Sequence, residues 1–214
     1  WSREGEALQT LRGHSAWVRS VAFSPDGETV ASTCAGNTLK LWNREGELLN
    51  SLTGHQDWVR QVAFSPDGRT IATASADSTV KLWDRNGEAI ATLEGHDYWV
   101  LGVAFSPDGQ TIATAGADNS VKLWNRNGEA LQTLYGHNNW VVDVAFSPDG
   151  KTLVSASGDR TVILWNLEAF TLDSMLERGC DWLLDYDAEA ATPEAQSVLS
   201  RCQRQLLRNS KKSL

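Results

Sequence analysis

Apolar and polar positions follow one short pattern that recurs along most of the chain. In the copy that begins at Gly54, residues 58–64 are rich in β-branched and aromatic side chains, which predicts a buried strand. Residues 69–76 alternate and predict a second strand, and residues 79–83 predict a third. Residues 88–93 predict a short fourth strand. One copy therefore predicts four antiparallel strands with no helix between them.

Turn residues separate these predicted strands. The sequence Ser-Pro-Asp-Gly at 65–68 combines a proline that fixes φ with a glycine that tolerates positive φ. Asp77-Ser78 predicts a tight turn, and Arg85-Asn86-Gly87 is typical of a hairpin. Short connections of this kind favour an all-β sheet in which consecutive strands are neighbours.

The pattern has a fixed period, because His14, His55, His96 and His137 are each 41 residues apart. A period of this length marks supersecondary units that bury their apolar faces only by stacking. Four antiparallel strands per unit predict the blades of a β-propeller. We place the blades at 13–53, 54–94, 95–135 and 136–166.

Two dipeptides make a family resemblance specific. Gly-His opens every copy, and the third strand ends in Trp83-Asp84 once and in Trp-Asn at 42–43, 124–125 and 165–166. Over residues 1–166 the chain resembles the WD-repeat β-propeller family, and is similar to the highly repetitive arrays of cyanobacteria and other bacteria. The resemblance implies a non-enzymatic scaffold that binds a protein or peptide.

The series of copies neither begins nor ends at the boundary of a complete blade. Residues 4–11 match the fourth-strand segment 88–93, so 1–12 predict an orphan outer strand, whereas the last blade stops after its third strand. Three closures remain open: missing upstream blades of a ring of about seven, a second copy giving about eight, or a self-closed ring of four. Since the chain starts at Trp1, we expect a fragment, a processed form or a trimmed chain.

The period ends after Trp165, and residues 167–214 predict a small helical tail. Thr171 is placed to cap a short helix, and Thr192-Pro193 predicts the start of an amphipathic one. The tail resembles the helical segment that follows the propeller in large cyanobacterial signalling ATPases. That resemblance implies the sensor or interaction region of a larger signalling protein; a helical cap on the propeller is the alternative.

Composition narrows the class of protein. The 214 residues are 41% hydrophobic and 21% charged, which is typical of a globular chain, and no apolar run is long enough to span a membrane. Three scattered cysteines argue against a disulfide framework or a zinc site and favour a reducing cytoplasm. A net charge of −8 argues against nucleic-acid binding. We expect no metal and no cofactor.

A His, a Ser and an Asp recur within each copy and suggest two interpretations. They are the residue types of a nucleophilic hydrolase, but a catalytic site occurs once per domain and this set repeats. The resemblance implies instead a hydrogen-bonded structural tetrad that includes the closing tryptophan. Two sets are complete: His55, Ser75, Asp77 and Trp83, and His137, Ser157, Asp159 and Trp165.

Two copies depart from this set. The third has Gly116 at the serine position, whereas the first has Cys34 there and Gly36 at the aspartate position. His14 therefore lacks a carboxylate partner, and the first blade is predicted to be the least stable.

One residue near the start of each inner strand suggests a binding surface. A tryptophan three residues after each histidine is expected at one rim of the channel, and the residue two positions further varies between copies. Small residues at 35, 76, 117 and 158 would leave this rim open to an acidic or mixed peptide; packing between blades is the alternative. The predicted contacts are Trp17, Arg19, Trp58, Arg60, Trp99, Leu101, Trp140 and Val142.

Overall fold

The computed structural model describes residues 9–168, which form fifteen strands in four antiparallel sheets. Strands that follow one another in the chain are neighbours in the sheet, so each sheet is a meander. The strands are β1 Val18–Phe23, β2 Thr29–Cys34, β3 Thr38–Asn43, β4 Leu48–Thr53, β5 Val59–Phe64, β6 Thr70–Ser75, β7 Val80–Asp84, β8 Ala89–Leu93, β9 Val100–Phe105, β10 Thr111–Gly116, β11 Ser120–Asn125, β12 Ala130–Tyr135, β13 Val141–Phe146, β14 Thr152–Ser157 and β15 Val162–Asn166.

Each sheet is one blade. The first three blades are β1–β4, β5–β8 and β9–β12, and the fourth has three strands, β13–β15, within the described residues. Register is the same from blade to blade: Val62 pairs with Thr73 in the second blade as Val103 pairs with Thr114 in the third. The predicted all-β fold of propeller-type blades is confirmed.

The turn between β5 and β6 shows how the sequence sets these hairpins. The Ser65 N–H donates to the Thr70 carbonyl at 2.8 Å, and the Gly68 N–H donates to the Ser65 carbonyl at 2.8 Å. Gly68 has a φ of 67°, which a residue without Cβ adopts at little cost. The Asp67 carboxylate accepts from the Ser65 hydroxyl and from the Arg69 N–H. These bonds close the turn, and matching bonds close it in the other blades.

The core lies between adjacent blades, where the face of one sheet packs on the next. One buried cluster joins the second and third blades, and another joins the first and second. Burial of each aliphatic side chain contributes about 1.5–3 kcal/mol, so the interfaces between blades hold the repeats together. The first cluster contains Ala72, Ala74, Val80, Leu82, Leu93, Val100, Val103, Ile112 and Trp124.

Two predicted regions lie mostly outside the described residues. Of the predicted orphan strand at 1–12, only residues 9–12 are described, and they carry no strand; of the predicted tail at 167–214, only 167 and 168 are described. The chain divides into two units, Trp1–Trp165 and Asn166–Leu214. In residues 9–168 no helix has the length and hydropathy needed to cross a membrane.

Candidate binding rim and blade tetrads

Four tryptophans, one per blade, stand immediately before the innermost strands. The Trp58 carbonyl accepts a hydrogen bond from the Ala76 N–H at 2.9 Å, and the same pairing recurs at this position in the other three blades. The bond holds the start of the inner strand against the turn between the second and third strands. All four indoles therefore lie at the same end of their blades, and all are partly exposed: Trp17, Trp58, Trp99 and Trp140.

Arginines from one blade lie over tryptophans of the next. The guanidinium carbon of Arg19 is 5.2 Å from the Trp58 ring centroid, and that of Arg60 is 5.3 Å from the Trp99 centroid. Stacking of this kind contributes about 0.5–1 kcal/mol at exposed sites. Burial and the nearby charge of Arg19 lower the pKa of Arg60 from its usual value, although Asp57 opposes this shift. The rim thus combines cationic groups with aromatic faces.

An apolar pocket lies where the third and fourth blades meet. Tyr98, Trp99 and Trp140 surround it, Ala117 also lines it, and its volume is about 300 Å³. The Trp99 and Trp140 ring centroids are 6.0 Å apart, with the rings inclined by 55°. The small side chain at 117 keeps this pocket open. Such a pocket has the size and lining to accept one apolar or aromatic side chain.

Tyr98 was not among the predicted contacts, and the sequence contained the signal for it. Its position holds Ala16, Asp57 and Asn139 in the other copies, so this aromatic residue occurs once. Tyr98 is also largely exposed. Positions where repeats differ are the ones to search for a site that belongs to a single blade.

The other four predicted contacts form a separate depression. Arg19, Arg60, Leu101 and Val142 line a volume of about 230 Å³. Arg19 and Val142 are exposed, but Leu101 is buried and offers a partner little surface. The eight predicted residues therefore lie in two adjoining groups, an aromatic rim and a depression with two arginines.

The histidine of each blade precedes the inner strand and lies in a network that ties this segment to the second and third strands. In the second blade His55 Nδ1 is 2.8 Å from Asp77 Oδ2, and His55 Nε2 is 2.8 Å from Thr73 Oγ1. The Trp83 indole N–H donates to the same hydroxyl at 2.9 Å. Because a carboxylate only accepts, the His55 Nδ1–H donates to Asp77, and the Thr73 hydroxyl bonds both His55 Nε2 and the indole N–H.

The predicted serine of this tetrad is wrong. Ser75 donates to the Asp57 carbonyl and accepts from the Asp77 N–H, and it has no bond to His55. Ser157 likewise donates to the Asn139 carbonyl. Residues two apart lie on the same side of a strand, and the hydroxyl that meets the histidine and the tryptophan is the earlier of the two, Thr73 on β6 and Ser155 on β14.

With the corrected hydroxyl, the third and fourth blades repeat the network. His96 contacts Asp118 at 2.7 Å and Thr114 at 2.7 Å, so Gly116 removes nothing from it. His137 contacts Asp159 at 2.9 Å and Ser155 at 2.8 Å, and the Trp165 indole donates to Ser155 at 2.8 Å. The networks satisfy buried polar groups and thereby rigidify each blade.

Hydrogen bonds lower the pKa of the aspartate in these networks. Burial by itself would raise the pKa of Asp77, but bonds from His55, Thr79 and the Gln56 N–H outweigh it and hold that pKa well below the usual range. The pKa of Asp118 is lowered in the same way, against its burial, by His96 and Ser120. Both carboxylates are therefore ionised at neutral pH.

The first blade lacks this carboxylate. His14 Nε2 lies 2.7 Å from Ser32 Oγ, and the Trp42 indole donates to the same oxygen at 2.7 Å, but the buried Nδ1 of His14 has no partner. Gly36 occupies the aspartate position. Burial, aided by Lys40, lowers the pKa of His14. The network of the first blade is therefore incomplete at one atom.

The structure shows how the predicted Ser-His-Asp sets and the possible metal ligands are placed. Neither Ser75 nor Ser157 meets a histidine, so the predicted Ser-His-Asp sets are not assembled as nucleophile and base. The hydroxyl that does meet His55 is buried and shared with an indole. Within residues 9–168, no group of three or more His, Cys, Asp or Glu is placed to hold a metal ion.

Consecutive antiparallel meanders that pack face to face define blades of a β-propeller. A His–hydroxyl–Trp network ties each blade, and in the second, third and fourth blades it includes an aspartate. The family model of the WD domain, G-beta repeat, matches residues 5–43, 46–84, 87–125 and 128–166. The chain belongs to this WD40 family. Its members are typically scaffolds for protein interaction.

One solved structure gives a close comparison. The computationally designed Ika4 protein is 31% identical, with a TM-score of 0.68, over 76% of this chain and 98% of the Ika4 chain. No curated protein matches the sequence. The likeness supports the same blade architecture.

Proposed function

We propose that the chain is a non-enzymatic platform that captures a protein or peptide at its tryptophan rim. The observation that carries the proposal is the placement of Arg19 and Arg60 over partly exposed tryptophans beside an open aromatic pocket. Tryptophan and arginine dominate the binding energy of protein interfaces because they combine a large apolar area with hydrogen-bonding capacity. Packing between blades, the alternative role of these tryptophans, does not by itself account for the open pocket.

The chemistry of the rim suggests the chemistry of the partner. Arg19 and Arg60 favour a carboxylate, since a guanidinium binds one with two parallel hydrogen bonds. The pocket of Tyr98, Trp99 and Trp140 favours an apolar or aromatic side chain. We therefore infer an acidic peptide segment with one bulky apolar anchor residue.

The setting of this platform follows the sequence resemblance. We propose an interaction or sensor region of a larger bacterial signalling protein, located in the cytoplasm. The acidic net charge supports a protein partner over a nucleic acid or a membrane surface.

Selection from a displayed random-peptide library tests the proposal. Selected peptides should share a bulky apolar residue near one or more acidic residues. Their affinity should fall at least about tenfold with Arg60→Ala or Trp99→Ala, which corresponds to about 1.4 kcal/mol. Arg60→Lys keeps the charge but loses the planar stack, so its affinity should lie between that of the wild type and that of Arg60→Ala.

Arg69→Ala is the matched control. Arg69 is an exposed arginine in the turn at the opposite end of β5 from Trp58, so its removal changes the net charge equally. Peptides whose binding responds alike to Arg60→Ala and Arg69→Ala would reflect bulk charge and contradict a rim site. Circular dichroism of each variant establishes that the fold is intact.

A further inference from the structure

The first blade exposes a face that the second and third blades bury. Val21 and Phe23 of β1 are 67% and 70% exposed, whereas Val62 and Val103, which stand one and two repeats after Val21, are 5% and 3% exposed. In those blades the preceding blade covers this face. A groove of about 550 Å³ runs along the open face and is lined in part by Phe23, Gly27 and Arg44.

The fourth blade exposes the opposite face. Leu164 of β15 is 71% exposed, whereas Leu82 at the same position of the second blade is fully buried against the third. Val162 is exposed in the same way, and Val80 is buried. The described part of the chain thus ends in two different apolar faces, and the internal interfaces show that such faces fit each other. The four blades do not close into a ring on themselves, contrary to one of the closures left open above.

We infer that a second copy of this chain docks head to tail, with its fourth blade packed on the first blade of its partner. Exposed apolar patches of this kind mark interaction surfaces. The partner must present the kind of face that packs on the second and third blades. The exposed face of the fourth blade of another copy is such a face and has the same residue types. Because the two faces differ, the contact is heterologous and must be repeated to close a ring.

Ion pairs between blades give the expected register. Arg85 reaches back to Asp26 at 2.6 Å, and Arg126 reaches back to Asp67 at 2.8 Å. One repeat before Arg85 stands Arg44 in the first blade. The aspartate that continues this series of ion pairs is Asp149 of the fourth blade, and head-to-tail docking supplies it from the second copy. The contact between the third and fourth blades lacks the arginine, because Leu167 replaces it.

Close contacts at the SPDG turns give the same register. A Cβ placed on Gly68 would lie 3.4 Å from Pro25 Cδ, and one placed on Gly109 would lie 3.4 Å from Pro66 Cδ. Gly27 of the first blade has nothing within 4 Å of that point. The residue that continues this series is Pro148 of the second copy. The open space at Gly27 therefore lies where docking would also bring Asp149 to Arg44, which within one copy pairs with Glu28 at 3.4 Å.

The rim is also incomplete in a single copy. Trp17 is 76% exposed, whereas Trp58 is 40% exposed under Arg19 of the preceding blade. In the head-to-tail arrangement Val142 of the second copy takes the place of that arginine beside Trp17. Two copies of four blades give eight, the upper end of the usual propeller range, whereas three copies would need twelve. The expected assembly is therefore a closed dimer.

Multi-angle light scattering of the 214-residue chain tests this inference, which does not rest on the proposed peptide binding. The expected mass is twice the 23.5 kDa of one chain. Val21→Lys on one face and Leu164→Asp on the other should each raise the dimer dissociation constant at least about a hundredfold. Ile90→Lys, at an exposed apolar position on the outer strand β8, is the matched control and should leave the dimer intact.

A charge exchange tests the register. Arg44→Asp and Asp149→Arg should each weaken the dimer several-fold, and the double variant should restore it, since the reversed charges again attract each other. A wild-type mass of one chain, or of more than two, would overturn the inference. A dimer that persists in both Val21→Lys and Leu164→Asp would overturn it as well. Near-ultraviolet circular dichroism shows that each variant is folded.

Discussion

His55 Nε2 and Thr73 Oγ1 lie 2.8 Å apart in the core of the second blade, and both side chains are buried. The same hydroxyl accepts the Trp83 indole N–H, so one oxygen joins an imidazole to an indole. The ring is also held at its other nitrogen by Asp77. Thr73 is therefore the group on which the network of this blade converges.

Thr73→Val should destabilise the chain more than Ser75→Ala does. Valine has nearly the shape of threonine but leaves His55 Nε2 and the Trp83 N–H without partners, at about 1–3 kcal/mol for each buried group. Ser75 makes a single side-chain bond to a carbonyl and accepts one N–H, so its loss should cost about 1 kcal/mol. Urea unfolding followed by tryptophan fluorescence measures both.

Thr73→Ser is the conservative control, because Ser32 and Ser155 serve at this position in other blades. It should remain close to wild type apart from the loss of one buried methyl group. Equal destabilisation by Thr73→Val and Ser75→Ala would mean that both hydroxyls carry similar weight, which would contradict the geometry.

Gly36→Asp should stabilise the first blade. It would supply the carboxylate that His14 lacks, and Thr38 stands where Thr79 bonds Asp77 in the second blade. A charge-assisted bond contributes about 1.5–3 kcal/mol, less the cost of displacing the Ser15 hydroxyl, which lies 2.9 Å from the added Cβ. The expected result is a net gain in the free energy of unfolding.

Titration of His14 by NMR gives an independent readout of the same variant. Burial lowers the pKa of His14 in the wild type, and a carboxylate at 36 should raise it. Gly36→Asn, which adds similar volume without the charge, is the control. If Gly36→Asp left the pKa of His14 unchanged, the new carboxylate would not have reached Nδ1.

Much of the fold follows from the sequence because one pattern is written four times. Proline and glycine at 65–68 fix the hairpin turn, and the apolar residues of β5 and β7 fix the faces that pack. A period of 41 residues then gives the blades. The interfaces between blades do not show in one copy, because a repeat buries its faces only against its neighbours.

The tetrad was predicted less well, and the reason lies in strand alternation. Ser75 and Thr73 point to the same side of β6, so the sequence of one blade does not choose between their hydroxyls. Comparison of the four copies does choose: position 73 is Ser or Thr in all of them, whereas position 75 is Cys, Ser, Gly and Ser. Rim contacts such as Tyr98 depend on packing between blades and are not deducible from a single strand.

Stability should decrease as the pH falls below the usual carboxyl range. The pKa of Asp77 and that of Asp118 are lowered in the folded chain from the ordinary value of 3.8. The unfolded chain therefore binds protons that the folded chain does not, so the stabilisation is complete above pH 3.8 and is lost as the pH falls through the folded-state pKa.

Urea midpoints measured between about pH 2 and pH 6 should show this decrease. Asp77→Asn together with Asp118→Asn should make this decrease shallower while lowering stability at neutral pH, and Asp159, whose pKa is also lowered by its hydrogen bonds, should contribute to the remainder. Half-buried Asp84 supplies the control, since Asp84→Asn removes a charge outside the tetrads and keeps an oxygen to accept the Asn86 and Glu88 N–H groups. An unchanged slope in the double variant would assign the acid sensitivity to other groups.

Gly116→Ala should destabilise the third blade, although the position holds serine in two other copies. A Cβ added to Gly116 would collide with Asp118 Oδ1 and with His96 Nδ1, and that nitrogen bonds the other carboxylate oxygen, Asp118 Oδ2, at 2.7 Å. Both side chains are fixed, His96 by Thr114 and Asp118 by Ser120, so neither can move freely. Loss of the charge-assisted bond would cost about 1.5–3 kcal/mol.

Gly158→Ala is the matched control, because its Cβ would meet only Asn139 at 3.3 Å or beyond, and it should be nearly neutral. Chemical denaturation of both variants measures the difference, and a Gly116→Ala chain as stable as Gly158→Ala would show that the end of β10 shifts to admit the methyl group without breaking the bond between His96 and Asp118.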